Sequence, residues 1–368
     1  MADSLVTRLS LRVFVVWIGF ALGCAGPPPA APPLQPSLTR GPEATSPAVQ
    51  PLPSPSPSPS PSPLPLATLR LAQPPAALGA WQIDVAERNG FIRQQGLALE
   101  RSTEEGEKAA DALNAGTRDV ALVAVESVVR ASRAGQNLVM VGGAVNRAAF
   151  SLVVGRDIQE LANLRGQPVG IRDPKDATAA LLGRMLKARG LSPADVRLVS
   201  FADPALRAAA IANGTVAGSL LDPAQTTRMQ GGGFKVLGNA FDTVRDFQAE
   251  ALAVRKDWAR QNEDRLVRFL RAIVEADRWI HAPEHRQEAI EVLAGTLRLT
   301  TLDAARVYEQ YVEKVPAIPR GAEVEQPGVR TVVELLAEVN ALRPPLPDPA
   351  TLTDTTYVQR AALSAPAR

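Results

Sequence analysis

Three kinds of side chain in this sequence could do chemistry, and two of them lead away from catalysis. Cys24 is the only cysteine among 368 residues, so no internal disulfide forms and the folded part must stand on its own core. His281 and His285 are the only histidines. Their separation of four is metal-ligand spacing on a helix, but Pro283 lies between them and no third ligand is apparent, so no metal site is expected. No Gly-x-Ser-x-Gly turn, phosphate-cradling glycine loop or cysteine nucleophile appears. The third kind is the carboxylate. Leu113-Asn-Ala-Gly116, Asp119-Val-Ala121 and Glu126-Ser127 are echoed by Ile211-Ala-Asn-Gly214, Val216-Ala217 and Asp222-Pro223. In each run a helix ends at glycine, a short strand follows, and an acidic residue stands where the strand stops. Two such units would place Glu126 and Asp222 at the carboxyl ends of strands, where open α/β sheets bind ligands. Chance similarity between short Ala-rich segments is the alternative.

The elements that must position these residues follow from periodicity. Apolar stretches of strand length alternate with segments of helical period, the pattern of βαβ units and mainly parallel sheets. Strands are expected at 68–72, 97–100, 119–123 and 138–142, with helices at 81–88 and 127–134. The Ser102-x-x-Glu105 spacing of a capping box predicts a helix from there to Gly116. A second block repeats the scheme. It has strands at 152–154, 168–171, 196–201 and 219–221, a short helix at 158–164, and longer ones at 177–189 and 204–213. An apolar strand at 249–254 leads into a mainly helical remainder, with helices at 257–280, 284–297, 302–312 and 330–342.

The N-terminus decides the compartment. Arg8 and Arg12 precede an apolar run from Val13 to Leu22, the pattern of a secretory signal peptide and too short for a span of roughly 20 residues. From Gly26 to Leu66 the chain is rich in Pro, Ala and Ser, with Ser-Pro alternation between Pro53 and Pro63. Such a segment buries little and favours polyproline II, rising about 3.1 Å per residue. It reads as a stalk that lifts a domain up to roughly 100 Å from a membrane. Formal net charge is +2 with no basic block, so nucleic acid is not an expected partner.

Cys24, directly after Ala21-Leu22-Gly23, resembles the lipobox of bacterial lipoproteins. That resemblance implies a lipidated Cys24 and stable membrane anchoring; secretion with an unmodified thiol is the alternative. The folded part resembles the sulfonate/nitrate/taurine and thiamine-precursor group of ABC substrate-binding proteins. The residues that carry this are Ala86-Glu-Arg-Asn-Gly90-Phe91 with Gly96-Leu97, Leu113-Asn-Ala-Gly116 with Asp119-Val-Ala121, Leu161-Ala-Asn-Leu164-Arg-Gly166 with Val169-Gly170, and Asn213-Gly214 with Asp222-Pro223. The resemblance implies a two-lobed α/β protein of the type II periplasmic-binding fold, with two crossing strands near 152–155 and 249–254 and a helical C-terminal region. The implied organisation is a signal peptide (1–23), lipidated Cys and stalk (24–66), first part of lobe one (67–155), lobe two (156–247), second part of lobe one (248–345) and tail (346–368).

Ligand would lie between the lobes. By position, Gln73, Trp81, Glu126 and Ser127 would line the cleft from one side and Asp173, Asp176, Thr178 and Asp222 from the other. Asp176 reads equally as a helix cap, Asp222 as an Asp-Pro turn and Trp81 as a core tryptophan. Anion binders of this family use backbone N–H groups at helix N-termini, for which the helix near Ala177 would serve. Four carboxylates around the cleft favour instead an amine or another hydrogen-bond donor. The resemblance implies no chemistry and no cofactor. It implies a monomer that works outside the cytoplasm, captures a small organic solute and hands it to an ABC permease. A solute sensor, or a same-fold biosynthetic enzyme, is the alternative.

Overall fold

The structure, a computed structural model, describes residues 66–104 and 107–363; the expected signal peptide, Cys24 and nearly all of the stalk lie outside the described residues. Ala67–Gln73 (β1), Leu97–Thr103 (β2), Val120–Ala124 (β3) and Leu138–Val145 (β4) form one sheet. Ser151–Val154 (β5), Pro168–Ile171 (β6), Arg197–Ser200 (β7), Gly218–Leu221 (β8) and Lys235–Asn239 (β9) form a second. The last strand, Glu250–Arg255 (β10), returns to the first. The sheet orders are β2-β1-β3-β10-β4 and β7-β6-β8-β5-β9. Both read second, first, third, visitor, fourth. In each sheet the first three strands pair in parallel, and the visitor, β10 or β5, runs antiparallel to both neighbours.

The chain therefore crosses between sheets twice, along residues 146–150 and again along 244–249. The crossings adjoin β5 and β10 rather than lying within them. Buried Gln248 ties the two together. Its Nε2 donates to Asn146 Oδ1 at 2.6 Å and to the Glu250 carbonyl at 3.0 Å, while its Oε1 accepts the Glu325 N–H at 3.0 Å. β3 and β4 are almost wholly buried along their length, as strands covered on both faces must be, which is why they read as continuous apolar runs.

Around the first sheet lie Ala80–Arg88 (α1), Phe91–Gln94 (α2), Lys108–Asn114 (α3) and Val125–Arg133 (α4). The second carries Ala177–Lys187 (α5), Pro204–Ala212 (α6), Pro223–Gly231 (α7) and Ala240–Thr243 (α8). Lys256–Gln261 (α9), Glu263–His281 (α10), Arg286–Leu297 (α11), Thr301–Tyr308 (α12), Gln326–Glu338 (α13) and Thr356–Leu363 (α14) complete the chain. α1 stops at Asn89-Gly90, where Gly90 turns the backbone at φ 76°, a conformation that a side chain disfavours. Asp176, Asp203 and Asp222 each accept a backbone N–H of the helix that follows. No helix among the described residues is long and apolar enough to cross a membrane.

Several expectations change. Ser102 does not open a helix. β2 runs on through Thr103, paired with Gln73, and α3 starts only at Lys108. The helix expected over 257–280 is broken at Asn262 into α9 and α10. α7 and β9 carry too weak an apolar pattern to have been read. The stretch expected as a tail carries α14, which packs on α10 and β4 with Tyr357, Val358 and Ala361 buried. His281 Nδ1 lies 2.8 Å from the Asp277 carbonyl, and His285 stacks on Trp279 with centroids 4.7 Å apart. Both histidines are thus taken up by the helical region.

Candidate ligand cleft between the two sheets

A cavity of about 150 Å³ lies where the two sheets face each other. Its walls come from the carboxyl ends of β3 and β8, from the chain just after β6, from α5 and α6, and from both crossings. This is the place that parallel α/β topology leaves open for a ligand, because helices turn away at the strand ends. Phe150 and Phe247, one on each crossing, join Leu220 and Val332 as apolar wall.

Of the predicted residues, Glu126 and Thr178 line this cavity. Glu126 stands in the first turn of α4 and is buried. Its Oε2 accepts the Ala177 N–H at 2.9 Å, across the cleft at the start of α5, and it forms an ion pair with the Arg172 guanidinium. Arg172 Nε also holds Asp176 at 2.7 Å. Asp176, fully buried, accepts the Ala179 N–H at 2.7 Å and the Thr178 hydroxyl at 2.9 Å. Two carboxylates, one guanidinium and the positive end of a helix thus form a closed group. The helix start that anion binders would offer to a ligand is occupied here by the chain's own carboxylate.

The other predicted residues are spent elsewhere. Asp173 is exposed and accepts the Lys175 N–H at 2.7 Å in a turn. Asp222 caps α7, accepting the Gln225 N–H at 2.9 Å; burial pushes its pKa up, against the pull of that bond and of Arg207. Gln73 accepts from Arg101 at 2.9 Å, beside Asp84 and Glu87. Ser127 is buried on α4 and is not part of the wall. Trp81 belongs to the core. It is fully buried, its indole N–H donates to the Ala289 carbonyl at 3.0 Å, and its ring meets Tyr308 edge-on. The expectation of an acidic cleft is corrected accordingly, since its carboxylates are paired, capping or outside.

Three charged residues that sequence reasoning missed face the cavity: Arg172, already paired, and Arg207 and Glu250. Arg207 is the only charged residue of the otherwise apolar α6, a signal that was available in the sequence. Its Nη1 donates to the Phe201 and Ala202 carbonyls at 2.7 and 3.2 Å. It has no ion-pair partner among the described residues. Burial lowers its pKa while the field of Asp222 opposes the change. Glu250 opens the apolar strand β10. Its Oε2 accepts the Gly79 N–H at 2.9 Å, and it too lacks an ion-pair partner among the described residues. Burial pushes its pKa up to about 7, against the Gly79 bond and with help from Asp222. Gly79 permits this approach, because a Cβ there would lie 2.6 Å from Glu250 Oε2 and 2.8 Å from Ala144 Cβ.

Comparison with curated protein sequences returns no match. Solved structures do match. The ligand-binding component of an ABC-type import system from Staphylococcus aureus, with zinc bound, aligns at TM-score 0.68 and 14% identity, over 80% of this chain and 99% of that one. The periplasmic nitrate-binding protein NrtA from Synechocystis PCC 6803 aligns at 0.68 and 15%, over 81% and 89%. The periplasmic aliphatic sulphonate binding protein SsuA from Escherichia coli aligns at 0.63 and 22%, over 77% and 91%. At these identities the likeness establishes the periplasmic-binding-protein fold. The family model described as NMT1/THI5 like matches residues 81–289, which include both sheets' cavity-lining strand ends and more than half of the chain; the protein belongs to the NMT1/THI5-like family.

Proposed function

We propose that the protein is the extracytoplasmic substrate-binding component of an ABC importer. It captures a small organic solute between its lobes and delivers it to a permease without altering it. Residues 1–23 act as the signal peptide, Cys24 as the lipid-bearing residue and 24–66 as the stalk. The lobes divide within the crossings: along 146–150 rather than at the expected 155, since Ser151–Val154 belongs to the second sheet, and along 244–249, close to the expected 247. The observation that carries this reading is the cavity itself. It is walled from both sheets and backed by both crossings, so a bound solute touches everything that a hinge motion would displace. Solved structures of the same fold, named for binding nitrate and aliphatic sulphonate and as part of an ABC-type import system, support it.

The test is capture from native membranes. Full-length protein crosslinked in its own cells is expected to bring down a polytopic membrane protein together with an ATPase. The mass of its mature N-terminus is expected to show acyl chains on Cys24. Chemical turnover of a bound solute by the purified protein would overturn the reading. An unmodified Cys24 would remove the anchor alone.

A further inference from the structure

We propose that the cleft takes a small amphoteric solute: one molecule carrying an amine-type donor for Glu250 and an acid group for Arg207, joined by a short apolar body. The inference rests on the cleft being the solute site, as argued above, and adds the chemistry of what enters it. Around the cavity, Glu126, Asp176 and Arg172 already satisfy one another. Arg207 and Glu250 do not. Glu250 Oε1 has no hydrogen-bond partner among the described residues, nor do Nε and Nη2 of Arg207. The two come from different sheets, through β10 and α6, and are not within ion-pair distance of each other.

A buried charge without a bonded counter-ion is unfavourable; Asp222 acts on Arg207 only through its field, and one group of each sign faces the same cavity. A simple anion would answer Arg207 and leave Glu250 facing the ligand as a like charge. A simple cation would do the reverse. One molecule bearing both groups satisfies both ends. It would also draw the wall carrying Arg207 toward the wall carrying Glu250, so that occupancy and closure come from the same contacts. Phe150, Phe247, Leu220 and Val332 give the same cavity an apolar wall suited to a hydrocarbon body. The cavity's size suits a solute rather than a peptide.

The experiment is isothermal titration of the full-length chain with glycine, β-alanine, 4-aminobutyrate and 5-aminovalerate. Butyrate, butylamine and ethanesulfonate serve as singly charged controls. At least one amino acid is expected to bind about 10- to 100-fold more tightly than butyrate or butylamine, the worth of one charge-assisted hydrogen bond. Arg207→Gln should lower that affinity to the butylamine level and Glu250→Gln to the butyrate level. Arg207→Lys should retain part of it, and unfolding midpoints for the three ligand-free variants no lower than that of wild type would establish that the fold is intact. Butyrate or ethanesulfonate binding as tightly as every amino acid would overturn the proposal and leave the receptor reading standing. So would binding that survives both neutralising substitutions. Silence from all four amino acids also overturns it, and capture of a permease then decides the receptor reading on its own.

Discussion

The two lobes have the same strand order, yet the carboxylate that follows the third strand does opposite work in each. In the first, β3 ends at Ala124 and α4 begins at once, so Glu126 falls inside the first helical turn. From there its side chain is free to leave its own lobe, and it binds Ala177 N–H and Arg172 of the other. In the second, β8 ends at Leu221 and Asp222 is itself the cap before Pro223. Its oxygen is held by the Gln225 N–H, and it stays with its own helix. A shift of two positions relative to the helix start turns a cap into a bridge between lobes. Repeated topology therefore does not repeat function, and the site is asymmetric where the architecture is not.

The sharpest way to break the comparison is to remove the bridge. Glu126→Ala strips the Arg172 guanidinium of one partner and leaves the Ala177 N–H unpaired beside the cavity. Truncating one side of a largely buried ion pair costs about 3 kcal/mol, and Arg172 keeps Asp176, so about 2–3 kcal/mol is expected in denaturant unfolding. Because the pair crosses the cleft, the ligand-free variant should also show a larger radius of gyration in solution scattering. Lost stability with unchanged dimensions would make Glu126 a packing residue and not a bridge.

The next effect is electrostatic and lies at Glu250. Its carboxyl is held up at about 7 in the folded chain, above its ordinary 4.5. The folded state therefore binds this proton more tightly than the unfolded state does. Protonated Glu250 contributes stability that is fully present below pH 4.5 and is lost as pH rises through 7. Between those values ligand-free wild type should lose about 2 kcal/mol relative to Glu250→Gln, after allowance for partial exposure. Unfolding free energies of the two proteins at pH 4.5, 6 and 8 test this. Parallel profiles would mean that Glu250 is solvated like a surface carboxylate.

How much of this could be read from the sequence divides along the range of the contacts. β6 was legible to the residue, since Pro168–Ile171 is a short apolar run with Gly166 before it and a charged stretch after it. The echo between 113–127 and 211–223 gave both third strands and the carboxylates behind them. Contacts made across the fold were not legible. Nothing local joins Arg172 to Glu126, 46 positions away, so counting carboxylates without their guanidinium made the cleft look acidic. Position alone leaves Trp81 equally a cleft residue and a core tryptophan, and it is the buried face of α1 that decides for the core. Ser102 had the spacing of a capping box but is held by its strand. Its hydroxyl receives Arg118 Nε at 2.6 Å, and the residue after it still pairs with β1. Local helix chemistry lost there to sheet pairing, as short motifs often do.

The smallest effect sharpens the comparison from the other lobe. Asp222 contributes a cap bond to α7, but burial resists its charge and raises its pKa. These act in opposite directions, and two substitutions separate them. Asp222→Asn keeps an oxygen acceptor for the Gln225 N–H and removes the charge, so it should be neutral or slightly stabilising at pH 7. Asp222→Ala removes both and should cost about 1 kcal/mol, the usual worth of a cap. Neither should alter the solution dimensions of the ligand-free chain, in contrast with Glu126→Ala, because Asp222 makes no bond to the first lobe. A change in dimensions on Asp222→Ala would mean that the two carboxylates work as a pair across the cleft after all.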